Sequence, residues 1–175
     1  NGRCHDYGRC FDRDALRQLM LPFSDPRVGC VVGRLIFEQK DSGGVQKAEG
    51  LYWRIETMLK KMEGRRGCLL GANGAIYALR RECWQPVPTE TLVDDFVIAM
   101  RVLMNGHRVV YAPNAIARED SPPELSDEFK RRIRIGAGDF QALAWFWPLL
   151  DVNKGFAAFA FFSHKVLRWL TPFFL

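Results

Sequence analysis

The run "FVIAMRVLMNGHRVVYAP", Phe96 to Pro113, restricts the fold more than any other stretch of the chain. Only Arg101 interrupts its first part, so Phe96 to Asn105 predicts a helix buried nearly all round. Gly106 is a natural stop, because glycine takes the left-handed conformation that ends helices. "HRVVYAP" then has the β-branched and aromatic character of a strand. A buried helix feeding a strand so closely needs a sheet to pack on. Val28 to Phe37, "VGCVVGRLIF", supplies a second apolar β run, and the segment after Gly74 a third, shorter one. Strands and helices alternate, which places the chain in the α/β class. With 175 residues and 48% hydrophobic content it is long enough for one domain with a real core.

Around these strands lie three further helical segments. "DRDALRQLML", Asp12 to Leu21, predicts a short helix with Asp at its start, and Asp25-Pro26 a turn. "DSGG", Asp41 to Gly44, reads as a loop. Lys47 to Glu63 predicts an amphipathic helix whose apolar stripe is Ala48, Leu51, Tyr52, Ile55, Leu59 and Met62. Glu56 and Lys60 pair on its other side at the favourable four-residue spacing. Trp53 lies off the stripe, either as a stacking platform or as a packing anchor. Ser126 to Leu143 predicts a helix with Phe129, Ile133, Gly136 and Phe140 on the apolar face and Lys130, Arg131 and Arg134 on another. From Ala142 onward the chain is dense in aromatic residues.

The net charge of +5 favours anionic partners such as phosphates or an acidic membrane surface. No nucleic-acid-binding motif accompanies it, so nucleic acid is not an expected partner. The five cysteines, Cys4, Cys10, Cys30, Cys68 and Cys83, include no C-x-x-C pair, which points to reduced thiols in a cytosolic compartment. No apolar run reaches the ~18–20 residues of a spanning helix. The chain opens on Asn1 without a signal peptide and reads as a fragment of a longer protein.

Asp94 and Asp95 stand directly before the buried helix. Carboxylates at a helix N-terminus complement the exposed N–H groups and the dipole, by about 0.3–1 kcal/mol each. One would suffice for that. Two adjacent carboxylates repel, and the pair is easier to hold if one faces a cation or takes a proton. A carboxylate mounted this rigidly can act as a general base. "GANG", Gly71 to Gly74, permits positive φ or close approach of a ligand to the backbone, although taken alone a plain turn between strands explains it better.

In this order the segments resemble the family 2 glycosyltransferases, the group that includes cellulose, chitin and hyaluronan synthases. "FDRDALRQLMLPFSDPRVGCVVGRL" is similar to the helix and strand after that family's metal-binding acidic motif. "YWRIETMLKKMEG" resembles the next helix, and "GANGAIYALRRE" the acceptor-side glycine segment. "VDDFVIAMRVLMNGHRVVYAPNAIARE" resembles the base motif with its following helix and strand. "EFKRRIRIGAGDFQAL" sits where the family often has Q-x-x-R-W. The resemblance implies the C-terminal portion of a GT-A type (Rossmann-like) domain, followed by amphipathic interfacial helices. Residues 1–125 would be the acceptor half of the catalytic domain, its upstream nucleotide-binding half missing. Residues 126–175 would be a basic helix and aromatic membrane-interface helices.

The implied activity is inverting sugar transfer from a nucleotide-diphosphate sugar, a UDP-sugar in many members, to a hydroxyl of a glycan or lipid acceptor, in polysaccharide or glycolipid synthesis. Asp95 matches the catalytic base and Asp94 its acidic neighbour. Gly71, Asn73, Gly74 and Trp53 fall on the acceptor side. Arg131, Arg132 and Arg134 are placed to bind the donor diphosphate, since guanidinium forks match phosphate oxygens. Asp6-Tyr7-Gly8 stands where the family has its D-x-D motif: Asp6 matches the first ligand to Mg²⁺ or Mn²⁺, and Gly8 brings none. Arg134 matches the Arg of Q-x-x-R-W, and Ile135 replaces its Trp. The tail "WFWPLLDVNKGFAAFAFFSHKVLRWLTPFFL" would lie on the cytoplasmic face of a bacterial inner membrane, with Lys165 and Arg168 towards lipid phosphates. The alternative is a non-catalytic, membrane-peripheral binding fragment with a degenerate GT-A half-fold.

Overall fold

The structure, a computed structural model, describes residues 5–6, 9–38, 46–120 and 125–171, with side chains for 10–36, 54–119 and 129–171. Strands β1 (His5–Asp6), β2 (Arg9–Phe11), β3 (Val28–Glu38), β4 (Tyr77–Leu79) and β5 (Arg108–Asp120) form one mixed sheet in the order β1-β2-β5-β3-β4. β3 and β5 pair in parallel at its centre, and β2 and β4 flank them antiparallel. The helices are α1 (Ala15–Met20), α2 (Gln46–Arg66), α3 (Asp94–Met104) and α4 (Leu125–Phe146). The C-terminal segment winds through α5 (Phe156–Ala160), a π-turn (Phe161–Val166) and α6 (Leu167–Leu170). The α/β class is the one the sequence predicts. The DSGG loop lies outside the described residues.

Alternation along β3 decides which helix covers which face. Val31 points to one side and packs with Ala15 and Leu19 of α1. Cys30 and Val32 point to the other and pack with Ala99 and Val102 of α3. Burying each of these valines, and Leu19, contributes roughly 1.5–3 kcal/mol. Val97, Ala99, Met100 and Val102 are fully buried, as expected for a helix enclosed by the sheet on one side and other helices on the next. Phe146, Leu149, Phe161 and Trp169 close over its outer side in one shared core with Phe96, Val97 and Met100. Among the described residues no helix is long and apolar enough to cross a membrane.

Four local expectations need correction. The first helix starts at Ala15 rather than Asp12, because the Asp12 backbone N–H still pairs with the Ile116 carbonyl of β5 at 3.1 Å. On α2, Ile55 and Met62 of the proposed stripe are half exposed, while Glu56 and Glu63 are buried. A charged face turned inward is tolerable because each carboxylate has partners there. On α4, Phe129, Ile133 and Phe140 face outward, while Gly138, Ala142 and Phe146 are buried. Lys165 does not reach towards a lipid surface: it is buried, with its ammonium 5.7 Å from the Phe96 ring.

Candidate active site

A cleft of about 510 Å³ opens where α2, the Leu70–Ala75 loop, the start of α3, α4 and the C-terminal helix meet. Its lining brings together Gly71, Asn73, Gly74, Asp94, Asp95, Arg131 and Arg134. A more apolar hollow of about 460 Å³ lies between α1 and β4 and shares only Gly74 and Ala75 with the cleft. Charged side chains from several elements converge in the first rather than in the second, which makes the first the candidate site.

The helix α3 begins at Asp94, with Val93 before it, so both acids sit in its first turn. They differ in setting: Asp94 is exposed, whereas Asp95 is half-buried. Asp95 Oδ1 accepts the backbone N–H of Phe96 at 2.7 Å. Burial pushes the Asp95 carboxyl above the ordinary carboxylate range, while the N–H groups of Phe96 and Gly74 pull it back and the Asp94 charge pushes it further up. Burial therefore outweighs the help that a helix N-terminus gives to the ionised form. The loop meets Asp95 at Gly74 and packs on Phe96 at Gly71, whose φ of +94° is a conformation that favours glycine. A Cβ there would lie 2.6 Å from the Phe96 ring, so glycine lets the loop press onto the first turn of α3.

The opposite wall is α4. Arg131 and Arg134 line the cleft, and Arg132 is exposed outside that lining. Arg134 Nη1 also donates to the Leu92 carbonyl at 2.9 Å, so part of this guanidinium holds the segment before Asp94. Gln141, which the sequence did not single out, grips the same segment twice. Its Oε1 accepts Leu92 N–H and its Nε2 donates to the Glu90 carbonyl, each at 3.2 Å. Asp139 lines the cleft as well, and burial raises its carboxyl to about 6, with Lys165 and Arg168 opposing and the Asp95 charge adding.

A buried charged cluster forms the back of the cleft, and sequence reasoning missed it. His164 Nδ1 lies 2.6 Å from Glu63 Oε1, and Nε2 lies 3.2 Å from Glu56 Oε2. Arg168 and Lys60 also approach Glu56, at 3.4 and 3.7 Å. Burial pushes the Glu56 carboxyl up, but its bond to His164 and the nearby Lys165, Lys60 and Arg168 bring it down to about 2. Burial lowers the Lys165 ammonium to about 8. The available signal was the spacing of Glu56, Lys60 and Glu63, one face of α2 at successive turns.

Two candidates lie beyond the described side chains. Asp6 falls in β1 and Trp53 in α2, and only their backbones are described. Among the described residues no group of three or more acidic, histidine or cysteine side chains could hold a metal ion. The cleft carboxylates thus do not form a cation cage by themselves.

The sequence profile of glycosyl transferase family group 2 matches residues 4–175. Poly-beta-1,6-N-acetyl-D-glucosamine synthases of Staphylococcus aureus, from strains COL and N315 among others, are 23% identical over 151 residues. That alignment covers 79% of this chain and 36% of the relative, so the chain spans about a third of the length of the curated relatives it matches. Among solved structures, a mannosyltransferase from Pyrobaculum calidifontis in complex with GDP-Man and Mn²⁺ superposes with a TM-score of 0.58. It is 21% identical, with 76% of this chain and 36% of that chain covered, and it shares the GT-A type fold. The match along nearly the whole chain, together with this fold, shows that the protein belongs to glycosyl transferase family group 2.

Proposed function

We propose that the cleft transfers a sugar, with inversion, from a nucleotide-diphosphate donor to a hydroxyl acceptor. The observation that carries this reading is the half-buried Asp95 carboxylate, fixed by backbone N–H groups and facing a wall that bears Arg131 and Arg134. Asp95 takes the proton from the acceptor hydroxyl as that oxygen attacks the anomeric carbon, and the bond to the diphosphate oxygen breaks. A rigid mount on α3 keeps the base in line without reorganisation during the step. Arg131 and Arg134 bind the diphosphate, with Arg132 a peripheral contributor to the same charge. Gly71, Asn73 and Gly74 form the acceptor side, joined by Trp53. Asp94 adds negative charge beside Asp95 and helps tune it.

The relatives narrow the substrates. A synthase of poly-beta-1,6-N-acetyl-D-glucosamine suggests a growing glycan as acceptor, and a neighbour holding GDP-Man suggests a nucleotide sugar as donor, UDP- or GDP-linked. A divalent cation, Mg²⁺ or Mn²⁺, would neutralise the leaving diphosphate, with Asp6 the candidate ligand. The exposed aromatic side of the C-terminal segment suits the cytoplasmic surface of a bacterial membrane. Residues 1–125 then carry the chemistry, and 126–175 supply the basic wall and the membrane face. A purely binding, degenerate fragment is not favoured, because Asp95 lies in a cleft with Arg134 rather than at a closed helix end.

The test is turnover with a panel of UDP- and GDP-sugars, in a polypeptide that contains these residues and is active. Asp95→Asn should cut the rate by about 10²–10⁴-fold, the usual contribution of a general base, with little change in thermal stability. Turnover near the original rate in that variant would remove Asp95 from the mechanism.

A further inference from the structure

We propose that His164 is a positioning residue, fastening the C-terminal helical segment to the glycine loop that holds Asp95 by engaging Glu63 with one ring nitrogen and Glu56 with the other. This rests on the reading of the cleft as a sugar-transfer site. The two arms end on the same loop. Glu63 presents Oε1 to His164 Nδ1 at 2.6 Å, and its Oε2 accepts Leu70 N–H at 3.1 Å. Glu56 faces His164 Nε2 at 3.2 Å and Lys60 at 3.7 Å, and Lys60 Nζ donates to Asn73 Oδ1 at 3.5 Å. Leu70 and Asn73 bracket Gly71, which presses on Phe96, and Gly74 follows with its N–H on Asp95. A shift of His164 is therefore passed to the atoms that hold the base.

The arrangement requires both ring nitrogens to donate, since ionised carboxylates only accept. Neutral imidazole can serve one arm at a time; imidazolium serves both. Burial lowers the His164 pKa, but the bonds to Glu56 and Glu63 outweigh it and the net shift is upward. The groups facing this centre are Glu56, Glu63 and Lys60 from α2, Lys165 and Arg168 from the C-terminal segment itself, and Asp139, which feels both of those cations, from α4. A pKa raised on folding makes the clamp fully present below the unfolded value of histidine and lost as pH rises through the folded one.

Three measurements test this. In the unmodified chain, the Leu70 amide signal should titrate together with the His164 ring in NMR spectra. Independent titration would overturn the proposal, and this readout needs no variant to fold. His164→Ala should raise hydrogen exchange at the Leu70 and Gly74 amides by ~10-fold or more, the size expected for losing a charge-assisted bond, while Val31 and Val110 in the central ladder stay within about twofold. His164→Gln keeps one arm and should give an intermediate, pH-independent effect. A folded variant with unmoved amides would sink the proposal. In transfer assays, the acceptor KM should rise with the donor KM unchanged. If the wild type transfers no sugar, the functional reading fails while the amide results still stand; if it transfers and the amides do not move, only the clamp fails.

Discussion

Asp139 shows how burial sets the range over which a side chain titrates. Its folded pKa of about 6 lies above the ordinary value of 3.8, so the folded chain binds more protons than the unfolded chain between those values. Stability therefore falls as pH rises through that window, and at neutral pH the ionised carboxylate opposes folding. Asp139→Asn should raise stability at pH 7 by roughly 1 kcal/mol, a figure discounted for partial exposure, and the gain should vanish below pH ~4. Thermal melts at the two pH values check this. At this scale paired acids at a helix start made Asp94 and Asp95 legible, and the family resemblance pointed to Arg131 and Arg134 within α4; all four line one cleft. The sequence did not reveal Asp139 or His164, whose meaning depends on neighbours distant in the chain: Lys165 and Asp95 for one, Glu56 and Glu63 for the other.

Among the elements, α4 depends on a close approach to the segment before α3. A Cβ on Gly138 would lie 2.7 Å from Val93 Cγ1 and 3.1 Å from Leu92 Cβ, so the helix backbone rests almost directly on that segment. Gly136, two residues earlier, would meet nothing within 4 Å. Gly138→Ala should therefore destabilise by about 1–3 kcal/mol through overpacking and loosen the Arg134 and Gln141 bonds to Leu92. Gly136→Ala should stabilise by about 0.5–1 kcal/mol, the ordinary gain of alanine over glycine within a helix. Denaturant unfolding of the two variants gives opposite signs if the contact is as described. Periodicity located α3, α4 and β3 well, and the start of β5, which runs past the expected Pro113 to Asp120. It misassigned the inward faces of α2 and α4, because it counts apolar residues and cannot see that Glu56 and Glu63 have buried partners. An apolar stripe implies a covered face only when some element is there to cover it, and Ile55 and Met62 are largely uncovered by the described residues.

For the whole molecule, the C-terminal segment works in two directions. Phe161 and Trp169 are inside, locked to α3, while Trp147 and Phe159 are each 65% exposed. Aromatic side chains at such exposure seat well at lipid headgroup depth. The protein should co-sediment with vesicles containing anionic lipid, and Trp147→Ser with Phe159→Ser should reduce the bound fraction several-fold without altering the melt. Equal binding by that double variant would discard this surface as the contact. The sheet has a consequence of another kind. Its central ladder joins Val28 to Arg108 and runs on to Glu38 and Asp120, so the middle of the fold is a pairing of strands remote in the chain. Closing so long a loop has an entropic cost that must be met before the contacts it allows can form. On a ribosome, β3 emerges well before β5 and α3, so Cys30 and Val32, on the face that α3 covers, must wait uncovered. The order of synthesis, more than the final stability, then sets when this protein is vulnerable to aggregation.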